Sequence, residues 1–498
     1  MEIKLISKDA TQVEADALIV YHFEGAAAPE GPAAAIDKAM DGAISHLLED
    51  KEFTGKFLEQ TELHSLGKIR AKRVALVGLG KKQDFTLDRA RMAAGAAARY
   101  IQNLGAKVGA TVIPDGSLKP DEAAQAAVEG ALLGVYAFKR YKKPDPETRE
   151  MKEMLIVEED PARAASLGKA VERGRVIAEA VCRARDWVNE PANYMTPAQL
   201  AEEARKIAER EHIEIKVLEK EDIQKLGMGC LLAVNQGSHQ PPRFVVMNYR
   251  GAGPDKPVVG FIGKGITFDS GGISLKPQEG MGEMKGDMSG AAAVISSLGA
   301  IARLGIKINI TGVAPITENL PGGMAYRPGD IIRSMSGKTV EIISTDAEGR
   351  LILSDAIAYA RQMKFSPLID LATLTGACHI ALGDHVSGAF TNNTDFLQKV
   401  LRASEAAGEK MWQLPLFDEY KELNKSDLAD IKNTGGRYGG AITAAWFLRE
   451  FAEDTPWVHL DIAGTFLSEK DRGYNAKGAT GVGVRTLVNL AIMLSQEG

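Results

Sequence analysis

The chain has 498 residues, 45% hydrophobic and 25% charged, with a formal net charge of −6 from 66 acidic and 60 basic side chains. Such fractions belong to an ordinary globular protein with roughly two to three domains and a large buried core. They exclude a disulfide-stapled miniprotein, a collagen and a disordered acidic tail, and the charge balance gives no bulk attraction to nucleic acid or an anionic membrane.

In chain order, Met1–Leu5 has neither a basic n-region nor an apolar h-region, which predicts no signal peptide. Ala17–Val20 and Arg73–Leu79 are short apolar runs bounded by turn residues, the pattern of buried strands. Pro32–Leu48 and Leu87–Leu104 are rich in Ala and predict helices. Lys143-Pro144-Asp145-Pro146 breaks any helix, and Glu153–Val157 supplies one last strand to a compact α/β unit over residues 1–160. Val171, Ile177, Ala178, Val181 and Val188 recur at helical spacings within Ala162–Val188, which Asn189-Glu190-Pro191 stops. Residues 161–190 therefore read as a connecting helix between two domains. From residue 191 to 498 strands and helices alternate. The strands are Ile213–Val217, Phe244–Tyr249, Val258–Ile262, Lys307–Val313, Leu368–Thr373 and Trp457–Ile462. The helices are Pro197–Glu211, Gly290–Leu304, Arg350–Gln362 and Ala441–Phe451. The alternation predicts a mostly parallel sheet covered by helices, with any ligand beyond the carboxyl ends of its strands. No run of about 18 apolar residues is present to span a bilayer. Three scattered cysteines, Cys182, Cys230 and Cys378, form no C-x-x-C pair, so a reducing cytoplasm is expected.

Three segments concentrate polar residues at predicted strand ends: Gly263–Pro277, Met284–Gly290 and Ser344–Leu351. If Ser344–Leu351 is extended, its period of two puts Asp346, Glu348 and Arg350 on one face, and Asp269 and Asp287 can converge from neighbouring strand ends. Four clustered carboxylates cannot all ionise without counter-charge, which two divalent cations would supply. Oxygen-rich sites with one nitrogen suit zinc, manganese or magnesium, and two metals about 3.5 Å apart make a hydrolytic centre. The alternatives are that some carboxylates stay protonated, or that they never meet. Gly263-Lys264 is no phosphate-binding loop, because Val258 and Gly265 stand where glycine and Ser or Thr are required, and Gly78–Lys81 fails in the same way. His379, His385 and Cys378 read as packed or rim residues with no motif around them.

In combination, Gly263–Pro277 (GKGITFDSGGISLKP), Met284–Ala292 (MKGDMSGAA) and Thr345–Leu351 (TDAEGRL) resemble the leucyl aminopeptidases, or cytosol aminopeptidases, a family of dinuclear metallo-exopeptidases. Leu371–Ala377, His459–Thr465 and Gly478–Arg485 add support. Ser344 and Ser289 depart from the family's usual Asn and Gly. The resemblance implies a small N-terminal macro-like α/β domain and a C-terminal three-layer α/β/α catalytic domain with a mostly parallel central sheet. It implies that Lys264, Asp269, Asp287, Asp346 and Glu348 hold two divalent ions, zinc or manganese, with Asp269 and Glu348 bridging. Lys264 would bind as a neutral amine. A water between the metals would attack the first peptide carbonyl, Lys276 would hold the oxyanion, and Arg350 would hold a bicarbonate acting as general base. Met284, Thr373, Leu374, Gly376 and Ala463, with Phe466 beside them, would line a pocket for apolar N-terminal residues such as Leu. Peptide substrates, a homohexamer and a cytoplasmic location follow from the same resemblance. The competing readings are a nucleic-acid-binding or scaffold role, for which Lys139–Lys143 is the basic run, and another dinuclear hydrolase such as a phosphoesterase.

Overall fold

A computed structural model describes residues 1–114, 116–143 and 149–497. It resolves two compact units, one of Met1–Cys182 with Glu469–Lys477, the other of Arg183–Ser468 with the segment from Gly478 onward. Pro144, Asp145 and Pro146 of the expected break lie outside the described residues.

The first unit is built on six strands in the order Glu2–Ser7, Glu153–Glu158, Val108–Val112, Ala17–His22, Arg73–Gly78 and Gln60–His64. All neighbours are parallel except the last pair. Leu18, Ile19 and Val20 are buried on both faces, as a parallel sheet between helices requires. The Ala-rich composition is explained by the packing of helices Leu87–Asn103 and Pro120–Gly134. A Cβ on Gly130 would lie 2.3 Å from the Arg91 carbonyl oxygen, and one on Gly134 2.2 Å from that of Gly95, so only small residues fit between these axes. The expected helix Pro32–Leu48 is two helices, Gly31–Ala39 and Ala43–Glu49. Asp41 and Gly42 between them take positive φ, and Asp37 Oδ1 accepts the Ile44 and Ser45 N–H groups at 2.7 and 3.0 Å, capping the second helix.

The second unit carries a nine-stranded sheet. Its centre, Trp457–Asp461, Leu368–Ala372, Val258–Gly263 and Asn309–Asn319, is parallel throughout; antiparallel strands flank it. Helices Gly229–Asn235, Glu348–Gln362 and Gly440–Ala452 pack together, and helices Pro197–Arg210, Ser289–Arg303 and Val484–Glu497 form a second packed set. The strand expected over Lys307–Val313 runs instead from Asn309 to Asn319. Pro315 lies within it, although proline cannot donate to a ladder. Here the neighbouring chain is itself interrupted: Val258–Gly263 pairs as far as Val313, and Gly265–Asp269 resumes the pairing at Ile316. Proline thus falls at the gap, and so does Lys264. Among the described residues no helix is long and apolar enough to cross a membrane.

Candidate metal centre

The carboxyl ends of the central parallel strands present the polar residues. Lys264 occupies the gap just described. Its backbone N–H donates to the Leu371 carbonyl at 3.0 Å and its carbonyl accepts from Ala291 at 2.8 Å, so a strand and a helix clamp it. Asp269 ends its strand. Asp287 lies between the 3₁₀ turn Met281–Gly286 and the helix beginning at Ser289. Asp346 sits in a turn, and Glu348 is the first residue of a helix. The extended reading of Ser344–Leu351 is therefore corrected: Asp346, Glu348 and Arg350 do not share a strand face. A strand of Thr339–Glu341 gives way to a turn in which Ala347 N–H donates to the Ser344 carbonyl, and Arg350 lies in the first helical turn.

These side chains meet. Carboxylate oxygens of Asp269, Asp346 and Glu348 lie within 4.8 Å of one another. Lys264 Nζ is 2.7 Å from Asp287 Oδ1 and 2.8 Å from Glu348 Oε1, and it donates to the Thr373 carbonyl at 2.8 Å. Lys276 Nζ bridges Asp269 Oδ2 at 2.8 Å and Asp346 Oδ1 at 2.5 Å. Two glycines make this approach possible. A Cβ on Gly349 would lie 2.5 Å from Lys264 Cε, and one on Gly271, whose φ is +86°, 2.8 Å from Asp346 Oδ1.

The cluster is short of positive charge. Burial pushes the Asp287 carboxyl well above the carboxylate range, with Glu348 and Asp269 adding to the effect and Lys264 opposing it. Burial raises Asp269 and Asp346 as well. Burial alone would lower Lys264, but Asp287, Glu348 and Asp269 reverse this and hold its ammonium charged. Asp287 Oδ2 and Glu348 Oε2 remain buried without a hydrogen-bond partner. Carboxylate oxygens in that state are costly unless a cation takes them, so the donor set fits divalent metal ions.

Arg350 Nη1 donates to the Asn433 carbonyl at 2.7 Å, and its Nε is buried without a partner. Burial lowers its pKa to about 10, against Glu348, Asp461 and Asp346, so the guanidinium stays charged near neutral pH. Of the expected pocket residues, Met284, Leu374 and Ala463 are half-buried and Gly376 is exposed. Thr373 is buried, and its hydroxyl donates to Asp287 Oδ1 at 2.6 Å. Cys378 is buried with its thiol pushed up to about 12 by burial, which keeps it un-ionised. His379 pairs with Asp384 at the surface.

Three further residues escaped the sequence reading as parts of the site. Asn319 Nδ2 donates to Asp269 Oδ1 at 2.8 Å and to the Thr345 carbonyl at 3.0 Å. Asp461 Oδ1 accepts the N–H groups of Leu374, Thr375 and Ala463 within 3.4 Å, and Oδ2 accepts the Thr375 hydroxyl at 2.7 Å. Asn433 touches the turn that carries Asp346. The first lies beyond Val313, where the expected strand ended. Asp461 lies in a quoted motif, but no role attached to it.

Buried carboxylates and two lysines gathered at the carboxyl edge of an α/β sheet are the architecture of a metal-dependent hydrolase. The comparisons narrow this class. Residues 182–488 match the cytosol aminopeptidase family, catalytic domain, and residues 19–145 match its N-terminal domain. A probable cytosol aminopeptidase of Geobacter sulfurreducens is 46% identical over 98% of both chains, and one of Solibacter usitatus 48% identical over 99% of both. Among solved structures, a mutant of tomato leucine aminopeptidase is 33% identical with a TM-score of 0.88, covering 99% of this chain and 96% of the other. The bottromycin maturation enzyme BotP, solved in complex with Mn, is 36% identical with a TM-score of 0.85, covering 97% of this chain and all of that one. The chain belongs to the cytosol aminopeptidase family and is a metal-dependent aminopeptidase.

Proposed function

We propose that the chain removes the N-terminal residue of peptides, with a preference for apolar residues such as Leu, at a site where Lys264, Asp269, Asp287, Asp346 and Glu348 hold two divalent ions. The observation that carries this reading is the convergence of these five side chains with Asp287 Oδ2 and Glu348 Oε2 buried and unpartnered. Zinc or manganese, when bound, acidifies a water and polarises the first peptide carbonyl. Lys264 Nζ would serve as a ligand only as the neutral amine, a form that two adjacent dications would favour. Lys276, held by Asp269 and Asp346, donates to the oxyanion that forms on that carbonyl. Arg350, with an unpartnered Nε, would hold a planar anion such as bicarbonate, which would supply a general base there. Met284, Leu374, Gly376 and Ala463, beside Thr373, receive the first side chain. An apolar pocket distinguishes substrates by only about 1–3 kcal/mol per methylene, so a broad preference is expected. The proposal extends to a homohexamer in the cytoplasm, divided into an N-terminal domain over 1–160, a connecting helix over 161–190 and a catalytic domain over 191–498.

The test is hydrolysis of Leu-p-nitroanilide and Leu-Gly by the purified chain, before and after chelation. Turnover lost with chelator and restored by manganese or zinc is expected. A metal-loaded chain that leaves both substrates intact contradicts the proposal.

A further inference from the structure

The turn carrying Asp346 leads from the strand Thr339–Glu341 into the helix Glu348–Gln362. Its middle is anchored by Thr345, whose hydroxyl donates to the Gly271 carbonyl at 2.6 Å and whose carbonyl accepts from Asn319 Nδ2 and the Tyr326 hydroxyl; the stretches on either side of Thr345-Asp346 are held from elsewhere. A two-residue strand far along the chain, Ile431–Lys432, pairs parallel with Thr339–Glu341. Asn433 continues that strand where its partner departs, and its N–H donates to the Glu341 carbonyl at 3.0 Å. Its side chain is fully buried. Oδ1 accepts the Ile343 and Ser344 N–H groups at 2.8 and 3.4 Å, while Nδ2 donates to the Ser344 and Ala347 carbonyls at 2.7 and 3.5 Å. The amide therefore grips the chain on both sides of Thr345-Asp346, just before Glu348. Its main-chain carbonyl meanwhile accepts Arg350 Nη1 at 2.7 Å.

We infer that Asn433 is a positioning residue which sets the register of Asp346 and Glu348 for metal binding and aims Arg350. This rests on the function proposed above. Only a carboxamide serves, because both donor and acceptor are used: Oδ1 faces N–H groups and Nδ2 faces carbonyls, so the opposite orientation of the amide would meet every partner with the wrong atom. A carboxylate keeps the acceptor half and loses the donors; alanine loses both. Partners that orient ligands typically hold about 10–100-fold in metal affinity or activity.

The experiment is manganese titration of the full-length chain by calorimetry, with Leu-p-nitroanilide kinetics at saturating metal. Wild type should bind two ions. Asn433→Ala should still bind two, one of them at least about tenfold more weakly, with kcat reduced by a similar factor and KM little changed. Asn433→Asp keeps the volume of the side chain and should shift both quantities in the same direction. Hydrogen exchange of the wild-type, metal-free chain needs no variant. Ile343 is 44% exposed, yet its amide should exchange slowly because Asn433 holds it. Variants with wild-type metal affinity and kcat, or a lowered melting temperature as their only change, overturn the inference, as does fast exchange at Ile343. Failure of wild type to bind two ions would instead sink the proposed function.

Discussion

Two regions of the molecule, the helix pair of the first unit and the carboxyl edge of the second unit's sheet, bury charge in opposite ways. In the first, Arg91 Nε donates to Glu129 Oε2 at 2.6 Å and Gln125 Nε2 donates to Oε1 at 2.7 Å, so both carboxylate oxygens are satisfied. The second has equally satisfied acids in its sheet: Asp370 takes His459 Nδ1 at 2.6 Å and the Trp457 indole N–H at 2.7 Å. At the carboxyl edge of the same sheet, Asp287 and Glu348 each leave one buried oxygen unpartnered. Burial is the same in all of these; satisfaction is not. A buried acid whose bonds are complete holds the fold together, and one whose bonds are incomplete marks where a ligand belongs.

That contrast can be broken by substitution. Asp287→Asn should release one of the two ions and lower kcat/KM roughly a thousandfold, since several kcal/mol of transition-state stabilisation depend on the metals. Metal analysis alongside kinetics checks it, and full metal content with full activity would remove Asp287 from the site. Lys276→Ala should keep both ions and lose about 10²–10³-fold in kcat, the usual effect of removing an oxyanion donor. Glu129→Ala should do the reverse. It removes the buried acceptor of Arg91 Nε, whose Nη1 still reaches Asp88 at 3.4 Å, and costs about 1–3 kcal/mol of stability by denaturant titration, while the folded fraction keeps its metals and its turnover. The effect that is smallest per step of the measurement concerns Asp355, whose oxygens accept the Leu231 and Met335 N–H groups and whose pKa burial raises to about 7. The native state then holds a proton that the unfolded chain releases near pH 4. Stability should therefore fall as pH rises from about 4 to 7, by up to about 1.4 kcal/mol per pH unit. Asp355→Asn should flatten that slope over the same window, and an unchanged slope would place the titration elsewhere.

Much of the site was legible because the side chains proposed as ligands sit within short stretches of chain. Asp269 with Lys276, and Asp346 with Glu348, are close in sequence and bounded by glycines, so their chemistry shows in the order of residues. Gly349 is different: its reason, the approach of Lys264 Cε, exists only in three dimensions. Asn433 is 83 residues from the arginine it steadies, and a lone asparagine before Thr434-Gly435 reads as a turn. Asn319 was missed because it lies beyond Val313, where the expected strand ended, and the strand's continuation pairs with a separate segment, Gly265–Asp269. The fold was legible where apolar runs are continuous, as at Val258–Gly263. The edge strand Glu2–Ser7, which alternates between exposed and half-buried residues, was not.

The central claim is that two cations complete what Asp287 and Glu348 lack. Anomalous diffraction from crystals of the manganese-loaded chain tests it most directly. Two peaks are expected, enclosed by Lys264, Asp269, Asp287, Asp346 and Glu348, with Lys264 Nζ drawn from its ammonium pairing into the coordination of one of them. A loaded crystal with no peak among these side chains, or with the manganese held elsewhere, would contradict the account.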